Sequence, residues 1–145
     1  MFKIRWVLIV SFSLFSTITY SQFFKRQINK YDENGKPKGL WITYWDETEK
    51  IPMSVASYKN GYEAGVSKEY HQNGNLRLKF RYHKSRMRVK YYDENRKLER
   101  KGWSVIEYNE ADTHYYWHGK WKFYNKKGKL DMVAWYQNGK EVSAE

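Results

Sequence analysis

The chain contains no cysteine. Disulfide frameworks, thiolate metal sites, thiol nucleophiles and redox chemistry are therefore excluded, and stability has to come from packing and backbone pairing. Proline is scarce, with 2 in 145 residues, and no low-complexity linker divides the chain, whose length suits a single domain. Aliphatic side chains are also in short supply. After residue 21 there are 18 Ile, Leu, Val and Met against 23 Phe, Trp and Tyr. Deep cores are built from aliphatics, whereas Tyr and Trp suit positions with one wet edge, so a thin sheet with a shallow core is expected. Carboxylates are outnumbered, 16 against 27 Lys and Arg, for a formal charge of +11. That balance favours polyanions, anionic membrane surfaces or acidic proteins as partners.

The first residues, MFKIRWVLIVSFSLFSTITYSQ, combine a short basic start (Lys3, Arg5), an apolar run of about a dozen residues, and small residues Thr19 and Ser21 before a cut at Gln22. This is the grammar of a secretory signal peptide over residues 1–21, and the run is short for the ~20 residues that a membrane span needs. The expected product is a secreted, periplasmic or envelope protein with one domain over 22–145 and no transmembrane span after cleavage. Its charge without Lys3 and Arg5 is +9. No cysteine follows the apolar run, which excludes lipid attachment there.

Internal repetition carries the fold reading. Gly65, Tyr70, Gly74, Leu76 and Tyr82 superimpose without a gap on Gly119, Tyr124, Gly128, Leu130 and Tyr136. A looser copy begins at Gly39-Leu-Trp41 and ends at Tyr58-Lys-Asn60-Gly61. Another, without its glycines, covers about 87 to 98, where Met87 replaces the opening glycine and Arg96 the turn glycine. Asn34-Gly35, Asn60-Gly61, Asn73-Gly74 and Asn138-Gly139 are turn dipeptides that tolerate positive φ. Runs rich in Tyr, Trp, Val and Ile separate them, and no apolar pattern of helical period survives beyond residue 21. Residues 45–57, marked by Pro52, and 103–118 read as longer connections.

These marks resemble the bacterial variant form of the MORN repeat family, in the segments Gly119-Lys-Trp121-Lys-Phe-Tyr124, Gly128-Lys-Leu130 and Tyr136-Gln-Asn138-Gly139. Gly39-Leu-Trp41 and Asn73-Gly74-Asn-Leu76 echo them, and the likeness covers most of residues 31–142. The resemblance implies a serial antiparallel sheet used as a scaffold or contact surface; some such proteins, of the YwqK type, are described as antitoxins.

The segment 76–92, LRLKFRYHKSRMRVKYY, alternates apolar and basic residues, breaks at Lys84-Ser85, and resumes in opposite parity. Folded as a hairpin with its turn there, Phe80 opposes Val89 and Leu78 opposes Tyr91. Arg81 then opposes Arg88, and Lys79 opposes Lys90, on the other face. A slip of one residue would put arginines against the core, so parity is strongly specified. A three-residue loop at Asn73-Gly74-Asn75 predicts Tyr70 opposite Leu78 and Glu69 opposite Lys79. The same register in the last unit places Trp121 opposite Trp135 and Phe123 opposite Val133 on the charged face, either covered by the 103–118 insertion or open as an aromatic platform.

Six cations, Arg77, Lys79, Arg81, Arg86, Arg88 and Lys90, with Trp121 and Trp135, are the candidate binding residues. The basic face is either a solvated outer surface that blocks edge-to-edge aggregation or a binding face for an acidic protein or an anionic envelope glycan or lipid. Nucleic acid is disfavoured by export. Asp112, His114 and His118 in ADTHYYWH share one face of a strand, but as residues of a polar loop they read as solvated, since a metal site wants three or four convergent, supported ligands. His71 and His83 read as surface residues near turns. The glycines mark hairpin turns rather than a phosphate loop, and no nucleophile elbow or split carboxylate pair is visible. The expectation is an all-β protein, with serial antiparallel hairpins forming one elongated twisted sheet of roughly eight to ten strands. It is expected to be noncatalytic, with no cofactor or metal, and to serve recognition or scaffolding at the cell envelope. Toxin neutralisation is the alternative.

Overall fold

The computed structural model describes residues 27–108 and 113–145; the expected signal segment 1–21 and Asp112 lie outside these. Eleven strands form a single antiparallel sheet. They are β1 (Lys30–Tyr31), β2 (Pro37–Tyr44), β3 (Pro52–Lys59), β4 (Tyr62–Glu63), β5 (Val66–Tyr70), β6 (Leu76–His83), β7 (Arg86–Tyr92), β8 (Leu98–Tyr108), β9 (Thr113–Tyr124), β10 (Leu130–Gln137) and β11 (Lys140–Ala144). Strands follow one another across the sheet in chain order, with β4 and β5 side by side along β3. Among the described residues no helix is long and apolar enough to cross a membrane.

Two kinds of turn recur. In the first, a backbone N–H reaches the carbonyl four residues on: Asp32 to Lys36, His71 to Asn75, Asp93 to Lys97 and Asn125 to Lys129, all at 2.8–2.9 Å. The residue in the fourth place takes positive φ: Gly35 at 72°, Gly74 at 80°, Arg96 at 66° and Gly128 at 75°. Asp32, Asp93 and Asn125 each also accept two backbone N–H bonds on Oδ1, the local pattern that draws Asx residues to turns. The unit without glycines therefore keeps the same turn, with Arg96 held in a conformation that disfavours a side chain. In the second kind, the two-residue turns Asn60-Gly61 and Asn138-Gly139 have both residues at positive φ, as the mirror-image hairpin turn requires.

The hairpin β6–β7 has the expected register: Leu78 opposite Tyr91, Lys79 opposite Lys90, Phe80 opposite Val89 and Arg81 opposite Arg88. Three other expectations are corrected. Lys68, not Glu69, faces Lys79, and Glu69 faces Leu78, because the loop 71–75 closes on a bulge between Glu69 and Tyr70. Residues 103–118 are not a connection but most of the long hairpin β8–β9, joined through 109–112. Residues 45–57 shrink to a loop over 45–51, since β3 begins at Pro52.

Strand parity gives the sheet an inner and an outer face. Leu78, Met87, Val89, Ile106 and Trp121 form the buried cluster on the inner face, flanked by Phe80, Tyr82, Tyr91, Trp117, Phe123 and Tyr136. A single layer buries these residues by curling onto itself. Tyr62 and Tyr108 meet edge to face with centroids 4.9 Å apart, although β6 and β7 lie between their strands.

Trp121 is fully buried. Its indole lies flat on β8 where Gly102 has no side chain, donates from Nε1 to Trp103 O at 2.9 Å, and stacks on Trp117 with centroids 3.9 Å apart. The chain reaches this arrangement through a bulge: Lys101 pairs with Lys122 but Trp103 pairs with His118, so β9 carries extra residues opposite Gly102. A Cβ on Gly102 would come within 2.3 Å of the indole. Gly102→Ala should therefore cost about 1–3 kcal/mol or more in denaturant unfolding, the range for overpacking; an unchanged midpoint would contradict the packing. At Arg96, the glycine variant should exceed the alanine variant by about 1 kcal/mol, because both lose the side chain and only glycine is at ease at this φ. Equal melting of the two would refute this.

Candidate functional site

On the outer face, β6 presents Lys79 and Arg81, and β7 presents Arg86, Arg88 and Lys90. Arg86 and Arg88 reach the ring of Trp103 on β8, with guanidinium carbons 4.6 and 5.1 Å from its centroid. Arg77 stands apart. Its guanidinium is paired with Glu69, the one ion pair among the described residues.

The two tryptophans do not share the basic face. Trp121 lies opposite Ala134 on the inner face, while Trp135 lies opposite Lys120 on the outer face; Phe123 lies opposite Met132 rather than Val133. A bulge between Leu130 and Met132 shifts the pairing by one residue from the expected register. Trp121 is covered by Trp117, which belongs to the 103–118 segment as expected but lies in strand β9 and not in a loop, and Trp135 is 39% exposed with Lys120 Nζ 5.4 Å from its ring centroid.

The face extends well beyond the hairpin from which it was recognised. Lys68 faces Lys79, Lys79 faces Lys90, Lys90 faces Lys101, and Lys101 faces Lys122. Five lysines thus run straight across five adjacent strands, β5 to β9. All are half-buried. A second row beside this one holds Arg81, Arg88, Trp103 and His118. Two adjoining depressions follow the rows. One of about 380 Å³ is lined by Lys79, Arg81, His83, Arg88 and Lys90. The other, of about 390 Å³, adds Lys101, Trp103, Lys120 and Lys122 to Arg88 and Lys90. Carboxylates are confined to the margin, where Glu107 accepts from Tyr116 Oη at 2.6 Å.

Reading the hairpin alone missed Lys68, Lys101, Lys120, Lys122 and Trp103. A signal for the row was present: Lys68, Lys79, Lys90 and Lys101 are spaced eleven residues apart, the length of one strand and its turn. His114 and His118 sit exposed on β9, and among the described residues no three His, Asp or Glu side chains group as a metal site needs. His71 is not merely a surface residue, since its Nε2 lies 3.0 Å from Tyr92 O.

The inner face has a different chemistry. The Glu63 carboxylate accepts from Tyr58 Oη and Ser67 Oγ, each at 3.1 Å, and from Tyr82 Oη. Burial, then the hydrogen bond to this carboxylate and its charge, raise the Tyr82 phenol. Burial followed by the Glu63 charge pushes Tyr58 up to about 12. Both phenols are held as neutral donors around one anion.

Comparison with protein-family models, curated proteins and solved structures found no match for the chain.

The folded protein holds the Tyr58 proton more tightly than the unfolded chain, whose tyrosines titrate near 10. This contribution to stability is intact below pH 10 and is lost as pH rises toward about 12. In Glu63→Gln, tyrosinate absorbance should rise at lower pH than in the parent protein, with burial retaining part of the shift. An identical titration curve would show that the carboxylate does not act on these phenols.

Proposed function

We propose that this is an exported, noncatalytic repeat protein of MORN-variant type that holds an anionic partner at the cell envelope through its outer basic face. The repeat reading is supported by the congruent turns at 32–36, 71–75, 93–97 and 125–129, each with its positive-φ residue in the same place. The binding reading rests on one observation: five strands bring their cations to a common face with no carboxylate among the rows. Like charges directly opposed across a ladder repel by about 0.2–1 kcal/mol per pair. Four consecutive lysine oppositions are a standing cost that an anion on the face would convert into attraction.

Arg81 and Arg88 are exposed and opposed, so they separate binding from stability. Arg88→Glu replaces a repulsion with an ion pair but gives up the contact of Arg88 with Trp103, so it should melt close to the parent temperature. Arg81→Glu combined with Arg88→Glu should weaken binding to heparin, lipopolysaccharide or anionic vesicles, most clearly at low salt. Affinities that are unchanged and insensitive to salt would defeat the proposal. A pull-down from envelope fractions that retains one dominant acidic protein, released by high salt, would transfer the role to toxin neutralisation.

A further inference from the structure

We infer that the occupant of the outer face is a linear polyanionic glycan that lies across the strands along Lys68, Lys79, Lys90, Lys101 and Lys122. The inference rests on the proposed binding role and specifies its ligand. The first ground is periodicity. Adjacent strands are about 4.8 Å apart, so the row spans about 19 Å with one ammonium per step. A polymer with regularly spaced sulfates or carboxylates can match such a row, whereas a compact anion touches only part of it.

The second ground is shape. The sheet curls toward its inner face, where Glu69 of β5 and Tyr115 and Trp117 of β9 line one depression across the strands between them, which leaves the lysine row on the outside of the curve. Each strand is also rotated by about 20–25° from its neighbour, so the row winds as it crosses the sheet. A flat bilayer meets such a row at a few points only. A flexible chain can follow all of it.

The third ground is the kind of side chain. The row is purely lysine, and lysine offers a mobile point charge instead of the fixed fork that arginine presents to a single phosphate or carboxylate. Arg86 and Arg88 are already turned onto Trp103. One strand beyond the last lysine, Trp135 is exposed with Lys120 beside its ring. A free aromatic ring next to a cation suits a charged sugar, because the ring can stack on a pyranose face. A polyphosphate chain has no ring to place there.

The test uses the full mature protein and heparin oligosaccharides of graded length, with polyphosphate and phosphatidylglycerol vesicles as competing probes. Affinity for heparin should rise with length until the fragment covers the row. The slope of log affinity against log salt should be about 3–4, as expected for five contacts on a single-chain polyanion. Combining Lys79→Gln, Lys90→Gln and Lys101→Gln should reduce that slope by about 2. Combining Lys126→Gln, Lys127→Gln and Lys129→Gln, which removes equal charge from a turn, should leave it unchanged. Trp135→Ala should weaken heparin binding and not polyphosphate binding. Equal effects of the two triple variants, or a Trp135→Ala variant that binds heparin as before, would overturn the inference. Loss of vesicle binding in the Arg81→Glu, Arg88→Glu protein together with an unaffected heparin slope in the ladder variant would overturn it while leaving the binding role intact. Salt-independent behaviour toward every probe would remove the binding role itself.

Discussion

The contact between the Trp121 indole and the bare backbone of Gly102 organises the rest of the molecule. A one-layer sheet has no second layer to bury its apolar side chains, so it must cover itself. The indole does this by lying down rather than standing up, which needs a partner strand with no Cβ beneath the ring. Trp117 then stacks on Trp121, and Tyr91, Phe123 and Tyr136 close around the pair with centroid separations of 5.0–6.4 Å. Aromatic rings can serve here because each is wide and rigid, and a few of them roof a strand that many aliphatics would otherwise have to fill. The composition and the architecture are one fact seen at two levels.

That self-coverage settles what the other face can be. The apolar side chains of the buried cluster and its flanking rings build the roof, and strand alternation sends their neighbours outward. On β6 through β9 those neighbours include the lysine row, aligned because each strand keeps its parity through every turn and bulge. Even the bulge beside Gly102 preserves the alignment, with Lys101 still opposite Lys122. The inner face shows the converse: its carboxylate Glu63 is surrounded by hydroxyl donors instead of cations, and the phenols around it respond by holding their protons. Arg100, also on the inner face, lies instead over the rings of Tyr91 and Trp117.

The strict alternation of 76–92 made the hairpin β6–β7 legible down to its residue pairs, since any slip would bury a guanidinium. The repeat likewise announced the turns, including the one that Arg96 occupies. What escaped was bulges. Asn73-Gly74 and Asn60-Gly61 are the same dipeptide, yet only the second has both residues at positive φ; the first belongs to a longer turn that shifts its flanking strand by one position. The same shift beside Gly128 separated Trp121 from Trp135 and moved one to the roof and the other to the surface. Residues 103–118 lacked a repeat partner, and the polar run in their middle hid two strands whose alternation is plain on either side of it. The lysine row was written as a spacing rather than a cluster, and only the strand register turns that spacing into proximity.

The eleven-residue spacing has a consequence for how such a surface can grow. One strand with its turn is also one rung of charge, so tandem duplication of that unit lengthens the contact without inventing a new fold. Reach and valence are then set by copy number, as marks are added to a ruler. Under the glycan proposal, the length of polymer held would follow from the count of strands, leaving every individual side chain as it was.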